Sequence, residues 1–267
     1  MLLIKELCHD MSSLKNKVHQ IDCIEGMKMM PDSSVDLILC DLPYAQTSNK
    51  WDTLIDMDEL WKGYRRVLQH NGVVLLAAMG QFMIDLILSN REWFRYEWVW
   101  DKNKGANFAH VRYRPLNTHE YVLVFSPKGR PTYNPQMTDG KPYTQKRLQQ
   151  SVKGIADNMG RHTTTSDGKR YPKSVLRVEG MAQRHIVHPT QKPLGLFEYL
   201  VNTYSNSGDM VLDTCMGSGT TAVACELNGR DGTGFELERE YIDITERRLK
   251  EVVLEKLKLS GHEKTPH

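Results

Sequence analysis

Apolar and polar positions follow two periods along the chain, and the places where the period changes divide it into elements. Val18 to Asp22 alternates apolar and polar residues at the strand period of two. Val35 to Cys40 and Val73 to Ala78 are nearly continuous apolar runs, the pattern of parallel strands covered on both faces. Between them, Met57 to Gln69 sets Met57, Leu60, Trp61, Tyr64, Val67 and Leu68 at helical spacing, with Asn71-Gly72 as the stop. Phe82 to Leu88 predicts a helix, and Tyr96 to Trp100 and Tyr121 to Phe125 predict strands. The rhythm resumes late in the chain. Leu194 to Tyr204 is helical, Met210 to Leu212 is a short strand ending at Asp213, and Gly217-Ser218-Gly219 opens a helix to about Asn228. Gly232 to Phe235 is a strand ending at Glu236. An amphipathic helix from Arg239 to about Leu259 then carries Ile242, Leu249, Val253 and Leu257 on one face. Strand–helix units of this length predict a doubly wound, mostly parallel α/β sheet.

From Ser126 to Val187 this rhythm is lost, and Pro, Gly, Thr, Gln and basic residues take over. The α/β core is therefore expected in two pieces, 1–125 and 188–267, interrupted by an insert at 126–187. The insert holds 12 Lys/Arg against four acids, a charge of +8 inside a chain whose net charge is only +2. Charge of this kind suits a phosphate-binding surface, and equally a solvated loop.

Composition narrows the class. A chain of 267 residues, 40% hydrophobic and 25% charged, has the make-up of an ordinary globular protein. Its longest apolar run, Val73 to Met79, falls far short of the roughly 20 residues of a membrane span, so no membrane partner is expected. Met1 to Asp10 mixes charges with apolar residues and lacks a signal-peptide core. The five cysteines (Cys8, Cys23, Cys40, Cys215 and Cys225) are odd in number and form no CxxC pair, which predicts reduced thiols in a cytoplasm and no metal site.

Two stretches carry chemistry. In Val211-Leu212-Asp213-Thr214-Cys215-Met216-Gly217-Ser218-Gly219-Thr220-Thr221 a strand ends in an acid, a glycine-rich turn follows, and a helix begins. Such a turn lets backbone N–H groups approach a ligand. Glu236, about twenty residues on, closes the next strand, where an acid can accept both hydroxyls of a ribose. The spacing matches neither GxGxxG nor GxxxxGK[ST], which disfavours NAD and nucleoside triphosphates. In Asp36-Leu37-Ile38-Leu39-Cys40-Asp41-Leu42-Pro43-Tyr44 a buried strand runs into a polar tip. Asp41 and the Leu42 carbonyl could accept the two protons of an amino group on a planar base, with Tyr44 as a stacking face. Taken singly, a tight αβ corner accounts for the first stretch and an Asx-type turn closed by Pro43 for the second.

Taken together they resemble one family. Asp41-Leu42-Pro43-Tyr44 is similar to the (D/N/S)PP(Y/F) motif of DNA amino-methyltransferases, and Asp213 to Thr221 to their AdoMet motif, DPFMGSGTT. His188-Pro189-Thr190-Gln191-Lys192-Pro193 is similar to their HPTQKP segment. The order, catalytic motif before AdoMet motif, is that of the β group, and the resemblance runs from Lys17 to Leu249. It implies a Rossmann-like seven-stranded AdoMet-dependent methyltransferase fold, S-adenosyl-L-methionine (AdoMet) as cofactor, and DNA as partner. It also implies direct attack of the base's amino nitrogen on the methyl group, with no cysteine nucleophile and with Cys40 buried. By the same resemblance Asp41, Leu42, Pro43 and Tyr44 hold the target base, flipped out of the duplex. Asp213, Gly217 and Gly219 line the methionine end of AdoMet, Glu236 binds its ribose and Asp22 contacts its adenine, with Cys23, Cys215, Ser218 and Thr220 also among the cofactor-binding residues. Thr190, Lys192 and Pro193 belong to the segment that closes over it, and Asp41 is also among the cofactor-binding residues. The insert 126–187 falls at the target-recognition region, and the loop Gln46 to Asp52, with Lys50 and Trp51, is a second DNA contact.

Two positions depart from the family pattern. Leu42 replaces a proline but keeps its carbonyl, and Thr214-Cys215 replaces Pro-Phe, which predicts looser packing at the cofactor. Asp at the head of the catalytic motif is more usual in N6-adenine enzymes and Ser in N4-cytosine enzymes, so adenine is the expected target. N4-cytosine, a catalytically silent DNA-binding subunit, and a small-molecule or protein-amide methyltransferase on the same fold are the rival readings. A homodimer through the C-terminal helix, a cognate restriction enzyme, and a bacterial or phage origin all fit the resemblance.

Overall fold

In the computed structural model, which describes residues 15–44, 54–147, 162–178 and 191–262, the apolar runs lie side by side in one eight-stranded sheet. Strands β1 (Lys17–Gln20), β2 (Val35–Cys40), β3 (Leu68–Ala78), β4 (Phe94–Ala106) and β5 (Asn117–Phe125) come from the first half of the chain. Four short strands follow: β6 (Thr138–Asp139), β7 (Tyr143–Arg147), β8 (His162–Ser166) and β9 (Lys169–Arg170). The later chain adds β10 (Val175–Arg177), β11 (Met210–Asp213) and β12 (Asp231–Glu236). The order across the sheet is β1, β12, β11, β2, β3, β5, β4, β10. All neighbouring strands are parallel except β5, which runs antiparallel to β3 and β4.

Strict alternation sends the side chains of β2 and β3 into two cores. Ile38, Cys40, Val74 and Leu76 face α1 (Cys23–Met29), α2 (Met57–Val67) and α3 (Gly80–Ser89), packing on Met27, Tyr64 and Leu86. Leu37, Leu39, Val73 and Leu75 face α4 (Leu194–Tyr204) and α5 (Thr220–Leu227), packing on Leu200, Val201 and Ala224. The last helix, α6 (Arg239–His262), lies against α5 and β1. Side-chain caps fix two helix starts: Asp22 Oδ1 accepts from the Ile24 and Glu25 amides, and Asp56 Oδ1 from those of Asp58 and Glu59.

Three features differ from the sequence expectation. Helix α2 stops at Val67, not Gln69, because Leu68 already pairs with Val35. The register then shifts so that Leu37 faces Val73, and Asn71-Gly72 becomes an irregularity inside β3 rather than a stop between elements. Strand β10 lies within the stretch that had lost its rhythm and makes the sheet eight-stranded rather than seven. Only three residues long, with Leu176 alone buried, it is too short to show a period.

Pro135–Lys173 is a compact unit of its own, while the described residues up to Asn134 and from Ser174 onward form another. Inside the small unit, β6 pairs with β9 and β7 with β8, both antiparallel. The Arg170 guanidinium lies 4.7 Å from the Tyr143 ring centroid and donates to Ser166 Oγ. No helix among the described residues is long and apolar enough to cross a membrane.

Candidate active site

Four parallel neighbours, β1, β12, β11 and β2, each end in or just before an acid, and all four ends lie on one edge of the sheet. Across that edge the order is Asp22, Glu236, Asp213, Asp41. Ligands bind at such an edge because the helices that follow the strands direct their amides there.

A cavity of about 310 Å³ lies along these acids, within the usual range for a small-molecule site. Asp22, Cys23, Asp41 and Pro43 line it from the first half of the chain. From the second half come Lys192, Asp213, Cys215, Gly217, Ser218, Thr220 and Glu236. Four expected residues do not line it. Leu42 is buried in the core at 2% exposure, Tyr44 packs at 4.6 Å on the Phe82 ring, Pro193 caps α4, and Gly219 caps α5. Thr190 and the loop 46–52 lie outside the described residues.

The glycine-rich turn is held from several sides. Gly219 adopts φ +80°, and a Cβ there would sit 2.6 Å from Thr245 Oγ1. Thr245 in turn donates to the Gly217 carbonyl at 3.1 Å, and Arg248 donates to the Ser218 carbonyl. Gly217 N–H donates to Glu236 Oε2 at 2.8 Å, while the Leu237 and Glu238 amides donate to Oε1 at 2.8 and 2.9 Å. Asp213 is 3% exposed, and Thr221 Oγ1 and the Cys215 amide donate to it. Loss of solvent pushes its carboxyl up to about 6.

The substitutions in this turn are built into the core. Thr214 Oγ1 hydrogen-bonds Tyr64 Oη at 2.7 Å and lies 3.3 Å from Cys40 Sγ, which ties it into the core. Cys40 is fully buried, and burial lifts its thiol to about 11; it offers no thiolate at neutral pH.

Asp41 is held at both oxygens. Tyr44 Oη donates to Oδ1 at 2.9 Å, and Lys192 Nζ donates to Oδ2 at 2.7 Å. Burial and the neighbouring Asp41 carboxylate hold the Tyr44 phenol far above its ordinary range, so it acts as a donor. Lys192, only 10% exposed, is drawn down by burial, but Asp41 and Glu120 outweigh this and keep its ammonium above the usual lysine range. Chemically, the arrangement offers a fixed carboxylate beside a cofactor-sized cavity, which suits positioning an amino group for attack. Thr245, Arg248, Tyr64 and Glu120 were missed by sequence reasoning. Their only sequence signal is polarity inside amphipathic or apolar elements, which many surface residues share.

Comparison with known proteins agrees with this geometry. The DNA methylase model of the N6/N4 family matches residues 35–247. The chain is 30% identical to the type II methyltransferase M.HinfI of Haemophilus influenzae, over 89% of this chain and 69% of that protein. It is 28% identical to the DNA adenine methyltransferase YhdJ of Escherichia coli (strain K12), over 85% of this chain and 80% of that one. The crystal structure of an M1.HpyAVI–SAM complex matches with a TM-score of 0.60 at 25% identity, over 87% of this chain and 98% of that one. AdoMet is the methyl donor of such enzymes, and the buried Asp213, the Gly217 turn and the cavity beside them fit it. With a family match across four-fifths of its length, a methyltransferase sheet, and an acid-lined cavity at the catalytic motif, this chain belongs to the N6-adenine/N4-cytosine DNA methyltransferase family.

Proposed function

We propose that this DNA methyltransferase acts on N6 of adenine, with Asp41 and the Leu42 carbonyl accepting the two amino protons of the target base. The observation that carries this reading is the Asp41 carboxylate, held by Tyr44 and Lys192 in the lining of the cavity. With both amino protons held by acceptors, the nitrogen lone pair lies normal to the base plane, open to an electrophile placed over that face. AdoMet supplies that electrophile as a methyl group on a sulfonium sulfur. In that transfer the C–S pair would stay on sulfur, and Asp41 would be the adjacent base for the one proton that the methylated amine sheds. Orientation and electrostatics are all the protein needs to contribute.

Adenine is favoured over cytosine by Asp41 at the head of the motif and by the similarity to a protein named as an adenine methyltransferase. The target atom is out of reach inside a duplex, so the nucleotide is flipped or bound unpaired, and the Tyr44 ring, backed by Phe82, is the stacking face. For the cofactor, Asp213 and Gly217 line the methionine end, Glu236 the ribose and Asp22 the adenine, with Cys23, Cys215, Ser218 and Thr220 beside it and Gly219 shaping the turn. The basic insert 126–187 is the target-recognition region, its Lys and Arg chiefly on phosphates.

Nucleoside mass spectrometry of unmethylated genomic DNA, incubated with the protein and labelled AdoMet, tests the base assignment. Labelled N6-methyladenine is the expected product. N4-methylcytosine would overturn the base while keeping the chemistry, and an unmodified nucleoside pool would overturn both.

A further inference from the structure

Behind Asp41 the site continues as a line of four alternating charges. Lys192 Nζ, 2.7 Å from Asp41 Oδ2, is also 3.2 Å from Glu120 Oε2, and Glu120 Oε1 accepts from Lys102 Nζ at 2.9 Å. All four side chains are largely shielded, at 22, 10, 14 and 18% exposure from Asp41 to Lys102. The two contacts of Lys192 are not equal. The one to Asp41 is the shorter, an aligned hydrogen bond at 2.7 Å, whereas buried Glu120 Oε2 holds the same ammonium as an ion pair at 3.2 Å without hydrogen-bond alignment. Glu120 Oε2 therefore shares the ammonium at longer range and is placed to take it up in full.

This matters because the Asp41 oxygen that Lys192 occupies is one that an incoming amino group would compete for. An ammonium bonded to Asp41 also offsets the negative charge that must stabilise the cationic amine formed by methyl transfer. A buried lysine released from one carboxylate requires another at once, and Glu120 Oε2 is the neighbouring acceptor that the structure provides. Its carboxyl is raised by burial, but Lys192 and Lys102 more than offset this and hold it below its ordinary range, so it is an anion ready for the role.

We propose that Glu120 is a positioning residue for methyl transfer: it takes over the Lys192 ammonium when the target amino group bonds to Asp41, with Lys102 holding Glu120 in place. The inference rests on Asp41 acting as the amine acceptor, as proposed above. Glu120 acts through Lys192 and touches neither base nor cofactor.

A double-mutant cycle on single-turnover methyl transfer tests it, at saturating AdoMet and DNA, with AdoMet affinity and thermal melting measured on every variant. Glu120→Gln alone is expected to slow transfer about 10²-fold, the scale of a misplaced catalytic group, with AdoMet affinity within about 3-fold of wild type. In a Lys192→Gln background the same change is expected to add less than about 3-fold, because the charge that it manages is gone. Glu120→Asp, which keeps the charge but reaches one methylene less far, should fall between wild type and Glu120→Gln. If Glu120→Gln does not fold, the cycle is read with Glu120→Asp, for which about 10-fold in the wild-type background and none in the Lys192→Gln background is expected. Equal factors in both backgrounds, or a wild-type rate for Glu120→Gln, would overturn the inference while leaving the proposed reaction intact. A wild-type protein that methylates no amine would instead remove the reading on which it rests.

Discussion

Asp213 sits at the end of β11 with almost no solvent, and its carboxyl is pushed up to about 6. The cofactor carries an α-ammonium, and the methionine end is the part assigned to this residue. If Asp213 binds that ammonium, the ionised form binds more tightly. Affinity should then be full above pH 7 and fall as Asp213 protonates, with a midpoint near 6. Isothermal titration across pH 5 to 8 checks this; Asp213→Asn should bind AdoMet weakly and without that midpoint, and an unchanged midpoint in the variant would place the titration elsewhere. At this scale the acids Asp41, Asp213 and Glu236 were legible in the sequence because each ends or follows a parallel strand, whose end lies at the ligand edge, whereas Asp22 came only with the family resemblance. Glu120 was not, for a geometric reason. It lies early in β5, and because β5 is antiparallel, its beginning meets the edge where its neighbours end. A search for acids after strands passes over it, and Lys102 on the partner strand β4 with it.

Among the elements, α6 does more than cover the sheet. Thr245 and Arg248 grip the glycine-rich turn through its Gly217 and Ser218 carbonyls, and Thr245 fills the space beside Gly219. Gly219→Ala would combine a left-handed backbone with a clash against Thr245. The expected cost is about 2 kcal/mol of stability, read by chemical denaturation, together with at least about 10-fold weaker AdoMet binding. Near-wild-type values for both would show that the turn is not rigid in the way described. The long strands and helices were legible from period alone because their apolar faces are continuous. The boundary between α2 and β3 was not, since Leu68 belongs to the helical pattern by spacing and to the sheet by its pairing with Val35. Only the partner strand decides between the two, and a partner is not a local property of sequence. The same holds for β10, whose three residues are a strand only because β4 lies beside them.

At the scale of the whole molecule, the basic zone sets the charge distribution. Its +8 stands within a chain of net charge +2, so the rest of the protein is acidic and phosphates should be drawn to one region. Lys141, Lys169 and Lys173 are exposed there. Replacing all three by alanine should weaken DNA binding and flatten its dependence on log salt by roughly 0.9 for each phosphate that a lysine no longer neutralises, with AdoMet affinity unchanged. A wild-type salt slope would remove this unit from the DNA surface. The chemistry itself rests on one group, the Asp41 carboxylate, proposed above to hold the amino group that is methylated. Its most direct test is single-turnover transfer of labelled methyl from AdoMet to unmethylated DNA, comparing wild type with Asp41→Ala at saturating cofactor. Transfer in the variant is expected to be slower by at least about 10²-fold even with the cofactor saturating. Transfer at the wild-type rate by Asp41→Ala would contradict it.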